Sequence, residues 1–269
     1  MKILAIVTEA ATARSCLDAA VVAAKVDKFA RIVALHVVVD PDQLVSSTEE
    51  VQIQRLRETA EGTASDKAMA AQAAFVAWNA GTADDTPRVE WKAPAGAEEA
   101  TIVEAAGDAD LLVLVQSQDL DSGDAQHAAI RETGKPLLLV PADWTPRPPA
   151  FAHIAVALSD TPVTDDAIQG AMPWLRAADT VTAIRIDAEQ DHALTLADRL
   201  QEMGIDAQLR VVAPSGHDRG AQIVKEAEAI GADMLVAGAY RHSQLVEWLL
   251  GSTTRQMLRN TALPLFLAH

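Results

Sequence analysis

The sequence repeats itself at the scale of a domain. Ala109-Asp110-Leu111-Leu112-Val113 returns 123 residues later as Ala232-Asp233-Met234-Leu235-Val236, and Pro136-Leu137-Leu138 returns 128 residues later as Pro264-Leu265-Phe266. A period this long exceeds that of solenoid units and matches a whole domain. Around these anchors each half alternates short apolar runs with helical patterns. In the first half, strands are expected at 3–7, 31–39, 89–91, 111–115 and 136–140, with helices at 11–26, 47–79, 97–106 and 124–132. In the second, strands are expected at 153–158, 180–186, 206–212, 233–237 and 264–268, with helices at 162–178, 189–203, 218–230 and 251–260. Strands that are apolar throughout, separated by helices, belong to parallel sheets covered on both faces. The fold class is therefore α/β: two tandem units, each a five-stranded parallel sheet with helices on both faces.

Residues 141–150 hold four prolines in ten positions, which excludes helix and central strand and reads as a stiff, extended connection. The expected organisation is a first domain over 1–143, a Pro-rich linker over 144–150 and a second domain over 151–269.

Charge narrows the partners. The 269 residues include 38 acidic and 22 basic ones, a formal charge of −16. Such a field repels phosphate backbones and anionic lipid heads, so neither nucleic acid nor membrane is an expected partner. The opening Met1-Lys2-Ile3-Leu4-Ala5-Ile6-Val7 meets Thr8 and Glu9 too early for a signal peptide or membrane span, and the expected location is cytoplasmic. The single cysteine, Cys16, permits no intrachain disulfide and no thiolate zinc cage; its place on the apolar side of the first helix makes it a buried small hydrophobe. Residues 1–143 carry 12 basic and 23 acidic groups against 10 and 15 in 144–269, so the second half is the better host for an anion.

The second half also has five more residues than the first between its fourth and fifth strands, at the sheet edge where doubly wound folds hold ligands. That segment runs from Gly238 through Arg241 and His242 to Gly251, Ser252 and Thr253. A glycine after a buried strand lets the chain turn sharply, and a helix opening at Gly251 presents unpaired amides with partial positive charge. Phosphate is the natural guest of such a site. Arg241, Arg255 and Arg259 outnumber Glu247 over 238–261, which makes the segment locally basic. The same residues also serve as ordinary turns and helix caps, so the pattern alone leaves both readings open.

Gly238-x2-Arg241-x9-Gly251-Ser252 resembles the universal stress protein signature, Gly-x2-Gly-x9-Gly-(Ser/Thr), whose loop holds the phosphates of ATP in the nucleotide-binding branch. Leu35-His36-Val37, Lys135-Pro136-Leu137-Leu138-Leu139-Val140 and Leu263-Pro264-Leu265-Phe266-Leu267 are similar to other strands of that family. The whole chain thus resembles a tandem universal stress protein with two flavodoxin-like domains. The resemblance implies a regulatory, stress-response role, with ATP and its magnesium held in the second domain by Gly238, Arg241, His242, Gly251, Ser252 and Thr253. It also implies a protein partner of unspecified kind and pairing of the fifth strands, either between the halves as an intrachain pseudodimer or between chains as a homodimer.

Three departures bear on the ligand. Arg241 replaces the second glycine of the signature and either obstructs the loop or binds phosphate itself. Leu158 stands where nucleotide-binding members have an aspartate at the end of the first strand, with Thr8 as its expected counterpart in the first half. Arg185 stands where the family has a small apolar residue beside adenine. The first half lacks the signature: Asp119, Asp121 and Asp124 occupy its corresponding loop, no EF-hand glutamate follows them, and no metal site is expected. His36, at a strand end, reads as a structurally satisfied histidine rather than a ligand.

No nucleophile elbow, zinc-peptidase helix, P-loop or dinucleotide fingerprint occurs in its required context, and no catalytic residue is assigned. Binding without turnover is the expected activity. A nucleotide-free pseudodimeric scaffold is the alternative, and a slow ATPase the weakest one.

Overall fold

The computed structural model describes residues 1–40, 52, 59, 62–83, 86–117, 124–159, 162–187, 200–216, 218–238, 257 and 261–268. It divides into two compact units, Met1–Lys135 and Pro136–His269.

In the first unit, strands β1 (Lys2–Ile6), β2 (Arg31–Leu35), β3 (Val89–Lys92) and β4 (Leu111–Val115) lie in the order β3-β2-β1-β4, every pair parallel. Helices α1 (Ala13–Ala24), α2 (Ala64–Ala80) and α3 (Glu98–Ala106) connect them, and α4 (Asp124–Arg131) follows β4. β1 and β4 are buried almost end to end, which explains why their sequences show no alternation. β3, at the edge, alternates buried Val89 with exposed Glu90 and Lys92. α1 packs on β1, β2 and β4 through Ala13, Cys16, Leu17 and Ala20, each at most 1% exposed. Burying a leucine- or isoleucine-sized side chain contributes about 1.5–3 kcal/mol, so Ile3, Leu4, Ile6, Leu17, Leu111 and Leu112 carry much of this core.

α2 joins α1 by a specific contact, the Trp78 indole N–H donating to Asp18 at 2.7 Å. The helical run expected over 47–79 is broken at Gly62, whose φ of 93° lies in the left-handed region, and Thr63. Thr63 then caps α2, its hydroxyl accepting from the Asp66 amide at 3.1 Å.

In the second unit, β5 (Leu137–Val140), β6 (His153–Ala157), β7 (Thr180–Ile186), β8 (Ala207–Val212), β9 (Met234–Gly238) and β10 (Leu265–Ala268) lie in the order β5-β10-β9-β6-β7-β8. All pairs are parallel except β5 with β10, which is antiparallel. α5 (Pro162–Ala177) packs on β6, β9 and β10, and α6 (Arg219–Ala229) on β7. Gly170 permits the close approach of α5 to β10: a Cβ there would stand 3.2 Å from the Ala268 Cβ. The proline-rich stretch turns rather than running straight. The Trp144 amide donates to the Pro141 carbonyl at 3.1 Å, and the Trp144 ring stacks on Phe151 with centroids 6.0 Å apart.

The repeated Ala-Asp pair has one job in both units. Asp110 accepts from the Lys2 amide at 2.7 Å and donates its own amide to the Lys2 carbonyl at 2.8 Å. Asp233 accepts from the Ala152 and His153 amides at 2.9 and 3.2 Å and donates to the His153 carbonyl at 2.9 Å. Asp110 fastens the start of β1 to that of β4, and Asp233 the start of β6 to that of β9, each saturating amides that the ladder leaves over. Among the described residues no helix is long and apolar enough to cross a membrane.

Candidate functional site

The second unit's parallel strands β6, β7 and β9 end along one edge of the sheet, where the connections diverge and a ligand can be held. Gly238 is the last residue of β9 and pairs with Ala268 of β10. The other expected phosphate contacts, Arg241, His242, Gly251, Ser252 and Thr253, lie outside the described residues. Gly238 alone of the predicted site is therefore positioned.

The neighbouring strand ends are described. Leu158 follows β6, is 6% exposed, and donates its amide to the Ile184 carbonyl at 2.9 Å. In the first unit the amide making this same bond belongs to Val7, which donates to the Leu35 carbonyl at 2.8 Å. The counterpart of Leu158 is thus Val7, and the expected match with Thr8 is off by one residue. Neither Leu158 nor Val7 has a side chain able to accept a hydrogen bond from a ribose hydroxyl. Just beyond, the Ser159 and Thr164 hydroxyls lie 2.6 Å apart, joining the end of β6 to the first turn of α5.

Arg185 is 6% exposed on β7, and its Nε and Nη2 donate to one oxygen of Asp187 at 2.9 and 2.7 Å. Side chains two apart on a strand share a face, so Asp187 is placed to neutralise a guanidinium that burial would otherwise penalise heavily. The pair occupies the place where the resemblance implies a small residue beside adenine. Sequence reasoning singled out Arg185 but missed its partner; the i, i+2 spacing of opposite charges in a strand was the available signal.

Two glutamines, also missed, fasten strand-end loops. Gln222 of α6 donates to the Ala213 carbonyl at 2.8 Å and accepts from the Ser215 amide at 3.1 Å. Gln126 of α4 accepts from the Ser117 amide, just after β4, at 2.8 Å. Asp218 caps α6 by accepting from the Ala221 amide at 2.7 Å; the neighbouring His217 lies outside the described residues.

In the first unit His36 is 5% exposed, and its Nδ1 lies 2.8 Å from the Val7 carbonyl. A carbonyl only accepts, so Nδ1 carries the proton and donates. The ring stacks on Trp91 at a centroid distance of 6.2 Å, a structural role in keeping with the sequence reading. Cys16 is equally committed: its Sγ lies 3.4 Å from the Ile6 carbonyl, and burial pushes the thiol up to about 12, so it holds its proton at neutral pH. Asp119 and Asp121 lie outside the described residues, and among the described residues no group of histidine, cysteine or acidic side chains is arranged to hold a metal.

On the base and sugar side Leu158 offers no side-chain acceptor, the Ser159 hydroxyl follows it, and Arg185 is paired with Asp187. The phosphate side depends on residues following Gly238.

Residues 154–269 match the model of the Universal stress protein family. No curated protein sequence is detectably similar to the chain. Among solved structures, a universal stress protein from Archaeoglobus fulgidus DSM 4304 superimposes with a TM-score of 0.65 at 15% identity, covering 99% of this chain and 95% of that one. A functionally unknown protein from Pseudomonas aeruginosa PAO1 gives 0.60 at 14% identity, covering 99% and 92%. At these identities the likeness concerns the fold, and it extends over both units. The family match thus concerns residues 154–269, and the likeness of fold the whole chain.

Proposed function

We propose that the protein is a cytoplasmic regulator of the stress-response type whose second unit binds a phosphate-bearing ligand, magnesium-ATP being the first candidate. The observation that carries this reading is the position of Gly238. It closes a central parallel strand inside the family-matched region, and the Gly-x2-Arg-x9-Gly-Ser spacing starts from it. Main-chain amides opening the helix at Gly251, Ser252 and Thr253 would hold the phosphates, with Arg241 and His242 as charged neighbours. Magnesium, when bound, would offset charge between the phosphates. No general base is assigned near them, so occupancy rather than hydrolysis is the output. The first unit, without the signature, serves as the partner fold in an intrachain pseudodimer.

Isothermal titration of the full chain with magnesium-ATP tests this reading. Saturable heat from the wild type that disappears in Gly251→Trp is the expected result, and a wild type that gives no heat ends it.

A second reading is favoured by Leu158 and by the Arg185–Asp187 pair, which close the base side of the edge. On that reading the protein is a nucleotide-free scaffold presenting surfaces to a protein partner. Purified protein that releases no nucleotide on denaturation and gives no heat with magnesium-ATP is the outcome it requires.

A further inference from the structure

The opposite end of the first unit carries a concentration of charge that the second-unit reading does not use. A cleft of about 1520 Å³ opens along the amino ends of β1, β2 and β3 and the end of α1. Its lining includes Lys2, Lys25, Lys28, Arg31, Arg88 and Lys92 against three carboxylates, Asp27, Glu90 and Asp108. This basic lining belongs to a chain of net charge −16.

The carboxylates are already engaged. Asp108 pairs with Lys2, Asp27 takes the Met1 amino group at 2.5 Å, and Glu90 lies 3.5 Å from Lys92. Among the described residues no carboxylate is within ion-pair reach of Lys25, Lys28, Arg31 or Arg88.

Strand register sharpens the picture. Lys2 is opposite Arg31, and Ile32 is opposite Val89, which sets Arg88 beside Arg31 one position earlier. Residues in register on parallel strands share a face, so Lys2, Arg31 and Arg88 form a row across three strands spaced about 4.8 Å apart. Like charges opposite one another on neighbouring strands are destabilising. With Lys2 compensated by Asp108, the two guanidiniums have no carboxylate partner among the described residues, and Lys25 and Lys28 from the end of α1 and its following turn add to them. The apolar residues Ala24, Val33 and Val89 beneath are 2%, 6% and 7% exposed, so the charged side chains stand at the cleft's rim over a packed floor.

We infer that this cleft binds a multivalent phosphate-bearing anion, with Arg31 and Arg88 forking onto phosphoryl oxygens and Lys25 and Lys28 supplying further positive charge. Guanidinium forks match phosphate geometry, and a row about 10 Å long suits an anion with more than one phosphoryl group. The inference does not depend on nucleotide binding in the second unit.

The test is a titration of the full-length chain with sodium tripolyphosphate at low ionic strength, followed by amide chemical shifts. Saturable shifts are expected at residues 25–31 and 88–92, with affinity falling about tenfold or more in the Lys25→Gln/Arg31→Gln/Arg88→Gln variant, whose three sites are exposed. The same shifts should persist in Gly251→Trp, which separates this cleft from the second-unit site, and citrate should bind more weakly. No saturable response at these amides, an unchanged affinity in the triple variant, shifts that vanish in Gly251→Trp, or equal binding of citrate would each overturn the assignment.

Discussion

The two units place a buried basic side chain at the same point and satisfy it differently. Lys2 pairs with Arg31 in the first unit as His153 pairs with Thr180 in the second, and five positions along each strand that register equates His36 with Arg185. His36 spends its Nδ1 proton on the Val7 carbonyl and rests against Trp91, whereas Arg185 needs the Asp187 carboxylate because its charge is permanent. At the opposite end of the strands Asp110 and Asp233 perform the same task with nearly the same bonds. The lesson is that the strand starts, which only hold the sheet together, have one solution in both units, while the strand ends, where a ligand would be met, have two.

This comparison can be broken most forcefully at Asp187. Replacing it by alanine leaves a buried guanidinium without its carboxylate and should lower unfolding free energy by about 3 kcal/mol, with Arg185→Leu in the same chain recovering most of the loss. Urea unfolding checks this, and a loss below about 1 kcal/mol would mean that Arg185 does not rely on Asp187. His36→Leu should cost less, about 1–2 kcal/mol, because one hydrogen bond to a carbonyl is lost and the Val7 carbonyl is left without this donor. A larger cost for His36→Leu than for Asp187→Ala would reverse the ranking on which the comparison stands.

The smallest expected effect concerns pH. Burial pushes the Asp233 carboxyl above its ordinary value of 3.8, outweighing the amides of Ala152 and His153 that favour ionisation. A folded-state value above the unfolded one means that the native chain binds the extra proton. Stability therefore declines as pH rises from about the unfolded value through the raised one. Asp233→Asn should remove that component, so wild type and variant unfolding midpoints would differ in their pH slope within this window. Identical slopes would show that Asp233 is not the responsible group.

Much of the fold was legible because its determinants are local or repeated. Ala109-Asp110 and Ala232-Asp233 marked equivalent strand starts, and apolar runs such as Leu111–Val115 located buried strands without knowledge of their neighbours. The interruption before α2 was hidden by a helix-favouring composition, although Thr63 and Asp66 stand at capping spacing. The candidate site was less legible. Matching Leu158 with Val7 requires the hydrogen bonds to β7 and β2, and a motif comparison along the chain shifts it to Thr8. The Arg185–Asp187 pair is two residues apart, yet it matters only once β7 is known to be buried on both faces. The row formed by Lys2, Arg31 and Arg88 exists only through strand register, because these residues are scattered over the first third of the chain.

The most direct measurement is a crystal of the full chain soaked in magnesium-ATP. The account predicts phosphate density against the main-chain amides at Gly251, Ser252 and Thr253, beyond the end of β9. A well-ordered loop there with no density, and with the Arg241 guanidinium filling the space, would contradict it.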